Sequence, residues 1–286
     1  MLVHRQKSFS NDFPKCYIVA TPIGNLEEMT PRAISILKEV DVIACEDTRH
    51  TAKLLSHFDI HTKLISHQKF NEHSSVKGIL MLLHKGYNVA LVSDAGYPLI
   101  ADPGHVLVQN IIKHGYNVIP ISGSSALLNG LVASGVVTHP FYFHGFLPSN
   151  QKEVRGLLTR LRHYQATLVF YEAPHRIEKT LKLCLELLGD RKACLARELT
   201  KLHEEFIRGS LSGILKEADT YKGEMVLIIE GDEGIKVQPV DLNEVYQSID
   251  ELIQSGLSAK DAIKEVAAKT GLPKNKCYEI YHSKRC

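Results

Sequence analysis

The chain has 286 residues, more than one domain commonly contains, and 44% of them are hydrophobic. These values exclude a single small module and a disordered chain, since enough apolar surface is present for more than one core. The 34 basic residues nearly balance the 32 acidic ones, so the net charge is only +2. This balance excludes a strong overall attraction for nucleic acid, and any nucleic-acid site must be a local patch.

The N-terminal residues and the cysteines both indicate an intracellular protein. Residues 1–14 form a polar tail that carries Arg5, Lys7 and Asp12, whereas a signal peptide needs an apolar run there. No later segment reaches the roughly 18 apolar residues of a membrane span. The six cysteines form no Cys-x-x-Cys pair and have no histidines at zinc-finger spacing. We expect a soluble cytoplasmic protein with reduced thiols and without a metal site.

Strand and helix patterns alternate along the first half of the chain. An apolar run at residues 16–21 predicts the first strand, and Thr30-Pro31 predicts a helix start, because threonine caps helices and proline suits the first helical position. Further strands are predicted at 40–45, 89–93 and 118–122, with helices near 51–58, 74–84 and 102–113. This alternation is typical of an α/β domain.

A second α/β set follows a strand predicted at residues 141–146. The turn at 147–150 leads into a basic amphipathic helix at 151–163, and we place the domain boundary at this turn. The first α/β domain then covers residues 15–146 and the second covers 147–231. Further elements are predicted as strands at 167–171, 193–197, 205–207 and 225–230, and helices at 174–188 and 213–218.

Residues 232–286 form a linker and a small helical unit. Two helical patterns at 259–281 flank the turn 270–273, a spacing that is typical of a helix-turn-helix. Residues 258–286 contain seven basic and three acidic side chains, a local net charge of +4. We interpret this unit as an RNA-binding element, and a small dimerisation or packing element is the alternative.

Three segments rich in glycine, proline and serine follow predicted strands, at residues 21–25, 93–98 and 122–126. Open α/β sheets bind ligands at the carboxyl ends of their strands, where glycines let a ligand approach the backbone. Each segment alone also suits an ordinary turn, whereas three together favour a ligand pocket. The chain has neither a G-x-G-x-x-G nor a P-loop motif, which argues against a dinucleotide or phosphate site.

Two polar clusters follow strands and supply candidate catalytic residues. Glu46 and Arg49 come after the strand at 40–45, and His175 and Arg176 come after the strand at 167–171. Histidine is a natural general base near neutral pH, and arginine can hold a phosphate. Charged side chains at an ordinary helix start explain both clusters equally well.

Five phrases resemble one family throughout. They read YIVATPIGNL at 17–26, EDTR at 46–49, VSDAGYP at 92–98, YEAPHR at 171–176 and GEMVLIIEG at 223–231. In this order they resemble the ribosomal RNA small subunit methyltransferase I family, which belongs to the tetrapyrrole-methylase superfamily. The resemblance implies two α/β domains with S-adenosylmethionine in the cleft between them, a small C-terminal helical unit, and usually a homodimer.

The resemblance also implies the reaction and the residues of the site. The methyl group would pass to the ribose 2′-oxygen of a cytidine in the decoding region of 16S ribosomal RNA. The expected cofactor-binding residues are Pro22, Asp94, Ala95, Gly96, Ile100, Ser125, Ala126, Glu172 and Leu199. We place Glu46, Arg49, His175 and Arg176 on the RNA side of the cleft. The alternatives are a methylase of a small tetrapyrrole-type molecule and a helix-turn-helix regulator whose α/β part senses a ligand.

Overall fold

A computed structural model describes residues 5–10, 13–68, 72–102, 104–218, 221–234 and 241–283. The chain forms two compact units, Met1–Asp232 and Glu233–Cys286. Within the described residues, the helices are too short or too polar to cross a membrane. Parts of the predicted tail and linker, at 1–4, 11–12 and 235–240, lie outside the described residues, as do Lys284 and Arg285.

The first unit begins with a sheet of five parallel strands in the order β3-β2-β4-β1-β5. The strands are β1 (Lys15–Val19), β2 (Val42–Cys45), β3 (Lys63–Ser66), β4 (Val89–Val92) and β5 (Asn117–Ile121). The helices are α1 (Pro31–Glu39), α2 (Thr48–His57), α3 (Glu72–His84), α4 (His105–Lys113) and α5 (Ala126–Ala133). Thr30 caps α1 and Pro31 begins it, as the sequence predicts.

Both faces of this first sheet are buried. Ile43 of β2 faces a cluster with side chains of α1 and α2, and its neighbour Ala44 faces a cluster with side chains of α3 and α4. Because neighbouring residues of a strand point to opposite faces, a strand between two helical layers needs apolar residues at every position. β2 and β4 are accordingly buried throughout, and their continuous apolar runs explain why both strands could be predicted.

The second sheet is mixed and has the order β6-β7-β10-β8-β9. Its strands are β6 (Phe141–Phe146), β7 (Thr167–Glu172), β8 (Lys192–Arg197), β9 (Glu205–Ser210) and β10 (Met225–Ile229). β6 and β7 are parallel, and the other pairs are antiparallel. The helices α6 (Gln151–Leu161), α7 (Pro174–Leu188) and α8 (Leu211–Leu215) contribute to a core on one face, and α5 packs against the other.

The position of β6 differs from the sequence-based division of the chain. The sequence predicts that residues 141–146 belong to the first domain, but β6 pairs with β7 at the edge of the second sheet. The chain therefore reaches the second sheet before Phe141, and not after Phe146. An apolar run predicts a strand but does not say which sheet the strand joins. β3 was not predicted, because this short edge strand is only half-buried and has no apolar run.

Where it is described, the second unit is a bundle of three helices, α9 (Leu242–Gln254), α10 (Ala259–Thr270) and α11 (Lys274–Ser283). Its core includes Val245, Ile263 and Tyr281, so each helix contributes buried side chains. Gly271 caps the C-terminal end of α10, and its φ of +73° is a left-handed conformation that glycine adopts readily. The two fold-class statements, α/β architecture and a C-terminal helical unit, are confirmed.

Candidate active site

A cavity of about 460 Å³ lies in the first unit, between the ends of the two sheets. This volume is typical of a pocket for a small molecule. Its walls come from loops that follow β1, β2, β4, β5 and β8, and from β6, β7 and β10. The lining residues are Ile23, Glu46, Asp94, Ala95, Gly96, Tyr97, Ile100, Ala101, Asp102, Ser125, Ala126, Phe146, Tyr171, Glu172, Ala173, Pro174, Leu199, Glu224, Met225 and Val226.

Eight of the nine residues expected to bind the cofactor line this cavity. Pro22 is the exception, because it is buried and its neighbour Ile23 reaches the cavity. The structure brings the eight together because parallel strands end at one edge of their sheet, so that their loops meet there. Their roles in binding stay predictions.

The loop after β4 is tied to the end of β1. Thr21 and Gly96 exchange two backbone hydrogen bonds, with N···O distances of 2.9 and 3.0 Å. Gly96 has a φ of +76°, and a Cβ added there would lie 3.3 Å from Cγ2 of Ile23. Both the left-handed backbone and the close side chain therefore favour glycine at this position. The loop's backbone can consequently form part of the cavity wall.

Five acidic residues line the cavity, and three of them, Glu46, Asp94 and Asp102, follow strands of the first sheet. The other two are Glu172 and Glu224. One carboxylate oxygen of Asp94 accepts a hydrogen bond from the backbone N of Asp47, at 3.3 Å. Burial, and after it the nearby charges of Glu46 and Asp94, raise the pKa of Asp102 to about 6, although a hydrogen bond with Ser93 opposes the shift. Asp102 is thus a carboxylate poised to change its protonation near neutral pH.

Asp102 is a cavity residue that the sequence interpretation missed. The sequence predicts a helix start at residues 102–104, and α4 begins just beyond it, at His105. Only the folding back of the loop after β4 brings Asp102 beside Asp94 in the cavity wall. An acidic residue on a long loop at the carboxyl end of a central strand was the available signal.

The four candidate catalytic residues occupy different surroundings. Glu46 lines the cavity. Arg49 is 90% exposed and lies 3.5 Å from the carboxylate of Asp47, which caps α2. His175 is exposed in the first turn of α7 and is not a lining residue. Of these three, Glu46 alone is placed to act inside the cavity, and the others lie on the protein surface.

Arg176 is held by protein groups. Its guanidinium donates hydrogen bonds to the carbonyl oxygens of Leu147 and Pro148, at 2.8 and 2.7 Å, and lies 3.3 Å from Glu172. Glu172 is 1% exposed and also accepts hydrogen bonds from the Thr180 hydroxyl and the backbone N of Ala173. Arg176 therefore connects a buried carboxylate of β7 to the segment that follows β6.

Hydrogen bonds near the cavity connect the loop after β1 and the first turn of α5 with the second half of the unit. The backbone N of Asn25 donates to the Thr200 hydroxyl at 3.1 Å, and the backbone N of Leu127 donates to the Tyr171 hydroxyl at 3.2 Å. Thr200 has a φ of +67°, an uncommon conformation for a β-branched residue. These contacts fix the two walls of the cavity relative to each other.

The fold and this cleft define a class of enzyme. The family described as Tetrapyrrole (Corrin/Porphyrin) Methylases matches residues 15–215, and the chain belongs to that family of methyltransferases. Among its curated relatives is ribosomal RNA small subunit methyltransferase I of Halalkalibacterium halodurans, 49% identical over 273 residues, which cover 93% of this chain and 94% of the relative. The protein of the same name from Bacillus subtilis is 43% identical, over 99% of this chain and all of the relative.

Solved structures show the same fold at low sequence identity. Diphthine synthase aligns with a TM-score of 0.59 and 13% identity, over 76% of this chain and 89% of that one. Cobalt precorrin-4 methyltransferase, a cobalamin biosynthetic enzyme, aligns with a TM-score of 0.58 and 14% identity, over 76% and 94%. The tetrapyrrole-methylase fold that the sequence predicts is therefore confirmed.

We predict that Arg176→Ala destabilises the protein, because Glu172 would keep a buried charge without its cationic partner. The expected loss is about 3–5 kcal/mol in the free energy of unfolding, measured by urea denaturation. The control is Lys182→Ala, which removes another i,i+4 pair, Glu178–Lys182, whose side chains are 54% and 61% exposed. That exposed pair should contribute only about 0–1 kcal/mol. Equal losses in both variants would contradict a structural role for Arg176.

Proposed function

We propose that the chain transfers a methyl group from S-adenosylmethionine to the ribose 2′-oxygen of a cytidine in the decoding region of 16S ribosomal RNA. This proposal rests on how much of the chain the similar proteins match. Relatives named for ribosomal RNA match 93% and 99% of the chain, whereas solved enzymes such as the precorrin methyltransferase match 76%. The alternative function, methylation of a small tetrapyrrole, is therefore supported by matches to a smaller share of this chain.

The cavity suits adenosylmethionine by its chemistry. Ile23, Met225 and Val226 give it apolar walls, and Gly96 exposes backbone to a ligand. The carboxylates of Asp94 and Asp102 complement a cationic ligand. When bound, adenosylmethionine supplies the methyl group on a positively charged sulfur, which leaves as a neutral thioether. We propose that the expected residues, from Pro22 to Leu199, form its site.

We propose Asp102 as the group that accepts the proton of the ribose hydroxyl. A general base works best when its pKa lies near the working pH, and the pKa of Asp102 is raised to about 6. Burial disfavours its charged form, and proton transfer to its carboxylate oxygen removes that charge. Glu46 and Asp94 support this role, since their negative charges raise the affinity of Asp102 for a proton.

Exposed basic groups are proposed to hold the RNA. Arg49 and His175 are both exposed, so each can reach a phosphate or ribose outside the cavity. Arg176 is engaged by Glu172 and two carbonyl groups, and we propose that it supports the RNA side of the cleft without contacting phosphate. The basic helices of the second unit supply further phosphate contacts. We also propose a homodimer and a cytoplasmic location, as the resemblance implies.

The proposed activity predicts that labelled methyl groups pass from adenosylmethionine to 16S RNA in small subunits from cells lacking this protein. Ala126→Leu should weaken cofactor binding at least 10-fold by calorimetry, because the added methyl groups enter the cavity. Ala52→Leu, at an exposed position of α2, is the control. Nucleoside analysis that finds no 2′-O-methylcytidine would reject the RNA substrate, and unchanged binding by Ala126→Leu would reject the cofactor site.

Asp102→Asn should lower kcat by roughly 10²–10⁴-fold, the range for a general base, without abolishing cofactor binding. In the wild type, activity should fall as the pH drops through about 6, because the raised pKa leaves Asp102 protonated below that value. The variant should lose this dependence. Asp59→Asn changes an 84% exposed carboxylate and should behave like the wild type. An unchanged pH profile in Asp102→Asn would disprove the role.

The second unit is predicted to contribute electrostatic affinity for RNA. Three exposed lysines of α10 and α11 are replaced by glutamine in one variant: Lys264, Lys269 and Lys276. The slope of the logarithm of RNA affinity against the logarithm of salt concentration should become shallower by roughly 2–3, since each of the three lost phosphate contacts removes about 0.7–0.9. A matched control replaces three exposed lysines of the first unit: Lys38, Lys53 and Lys113. Equal slopes in both variants would assign the second unit a packing role.

A further inference from the structure

Strand β6 contains a bulge just before it reaches the cavity. Phe143 pairs with Val169 of β7, but the next pairs are Gly145 with Phe170 and Phe146 with Tyr171, so one extra residue lies in β6. Gly145 has a φ of +80°, which glycine adopts readily. Because side chains alternate along a strand, this extra residue puts Phe146 on the same face as Phe143 and Tyr171.

The bulge makes Phe146 a lining residue of the cavity. Its ring packs edge-on against Tyr171, with centroids 5.5 Å apart, and Phe143 packs against Tyr171 in the same way at 4.9 Å. The Tyr171 hydroxyl accepts a hydrogen bond from the backbone of Leu127. Phe146 therefore rests on an aromatic support that is itself held in place.

Phe146 nevertheless remains 56% exposed, although the chain on both sides of it is fixed. Leu147 is buried, and Arg176 holds its carbonyl oxygen and that of Pro148. A phenylalanine that stays exposed on a rigid segment does not contribute the free energy that burial of its side chain would add to folding. Isolated exposed phenylalanines are common, as Phe13 at 59% illustrates, but Phe146 differs because it also lines the cleft.

We infer that Phe146 is a stacking platform for the base of the nucleotide that is methylated, an inference that rests on the proposed function. A ribose can enter a narrow cleft when its nucleotide leaves the RNA stack. An aromatic side chain then stacks on the base and replaces the stacking that the base has lost. Phe146 lies on β6, which is an edge strand of the second sheet. The residues expected to bind the cofactor include none from β6, which favours the substrate base over the adenine ring.

A fluorescence experiment tests this assignment directly, because the chain contains no tryptophan. Phe146→Trp introduces a single reporter at the cleft, and Phe13→Trp introduces one at a similarly exposed position outside it. A decoding-region RNA hairpin should quench the first reporter, and the same hairpin with an abasic target nucleotide should quench it less. The Phe13→Trp reporter should not distinguish the two hairpins.

Kinetics supply the second measurement. Phe146→Ala should raise the KM for RNA on the order of 10-fold, because it removes the stacking surface for one base. Its affinity for adenosylmethionine should stay unchanged in calorimetry, and Phe146→Tyr should restore the KM. An equal KM in Phe146→Ala and wild type would overturn the inference.

The outcomes separate the inference from the proposed function. Quenching of the Phe146→Trp reporter by adenosylmethionine alone, with no difference between the two hairpins, would assign the ring to the cofactor and overturn the inference. A wild-type protein that methylates RNA while neither ligand quenches the reporter would overturn the inference only. A wild type that methylates no RNA, in hairpins or in small subunits, would overturn both.

Discussion

The buried carboxylate of Glu172 organises the side of the cleft that the second sheet supplies. A charge with almost no contact to water is costly unless donors surround it, and Glu172 has the Arg176 guanidinium, the Thr180 hydroxyl and the backbone N of Ala173. Arg176 in turn holds the segment after β6 through two carbonyl oxygens. One ionic contact at the end of β7 thus fixes the start of α7 and the backbone beside Phe146.

The distribution of charge favours cofactor binding in the cavity and RNA binding at the surface, as proposed. Glu46, Asp94 and Asp102 make the cavity acidic, which favours a cationic ligand and disfavours a phosphate. In the proposed function, a polyanionic RNA is therefore held by groups outside the cavity, and we propose Arg49 and the lysines of α10 and α11 for this role. A net charge of +2 hides this separation, because opposite local charges cancel in the total.

The sequence predicts the part of the site that depends on strand ends. Parallel strands ending at one edge bring Asp94, Gly96 and Ser125 into the cavity wall, and continuous apolar runs mark those strands. Contacts made by long loops and side chains escape such patterns. Asp102 enters the wall because its loop folds back, and Arg176 faces protein acceptors that no motif indicates. The bulge at Gly145 likewise decides which way Phe146 faces, and a glycine in a strand only hints at it.

The cavity also concentrates features that work against stability. Leu99 and Thr200, each next to a lining residue, have φ values of +76° and +67°, backbone conformations that are uncommon for residues other than glycine. Asp102 also makes the stability of the fold depend on pH. Because its pKa is raised on folding, its contribution to stability is fully present below the pKa of an unfolded aspartate and is lost as the pH rises through about 6. At neutral pH its ionised form therefore destabilises the fold, and burial of apolar side chains against the two sheets must offset this loss. A carboxylate stabilised by partners would remove this burden, but its lower pKa would make it a weaker acceptor of the hydroxyl proton.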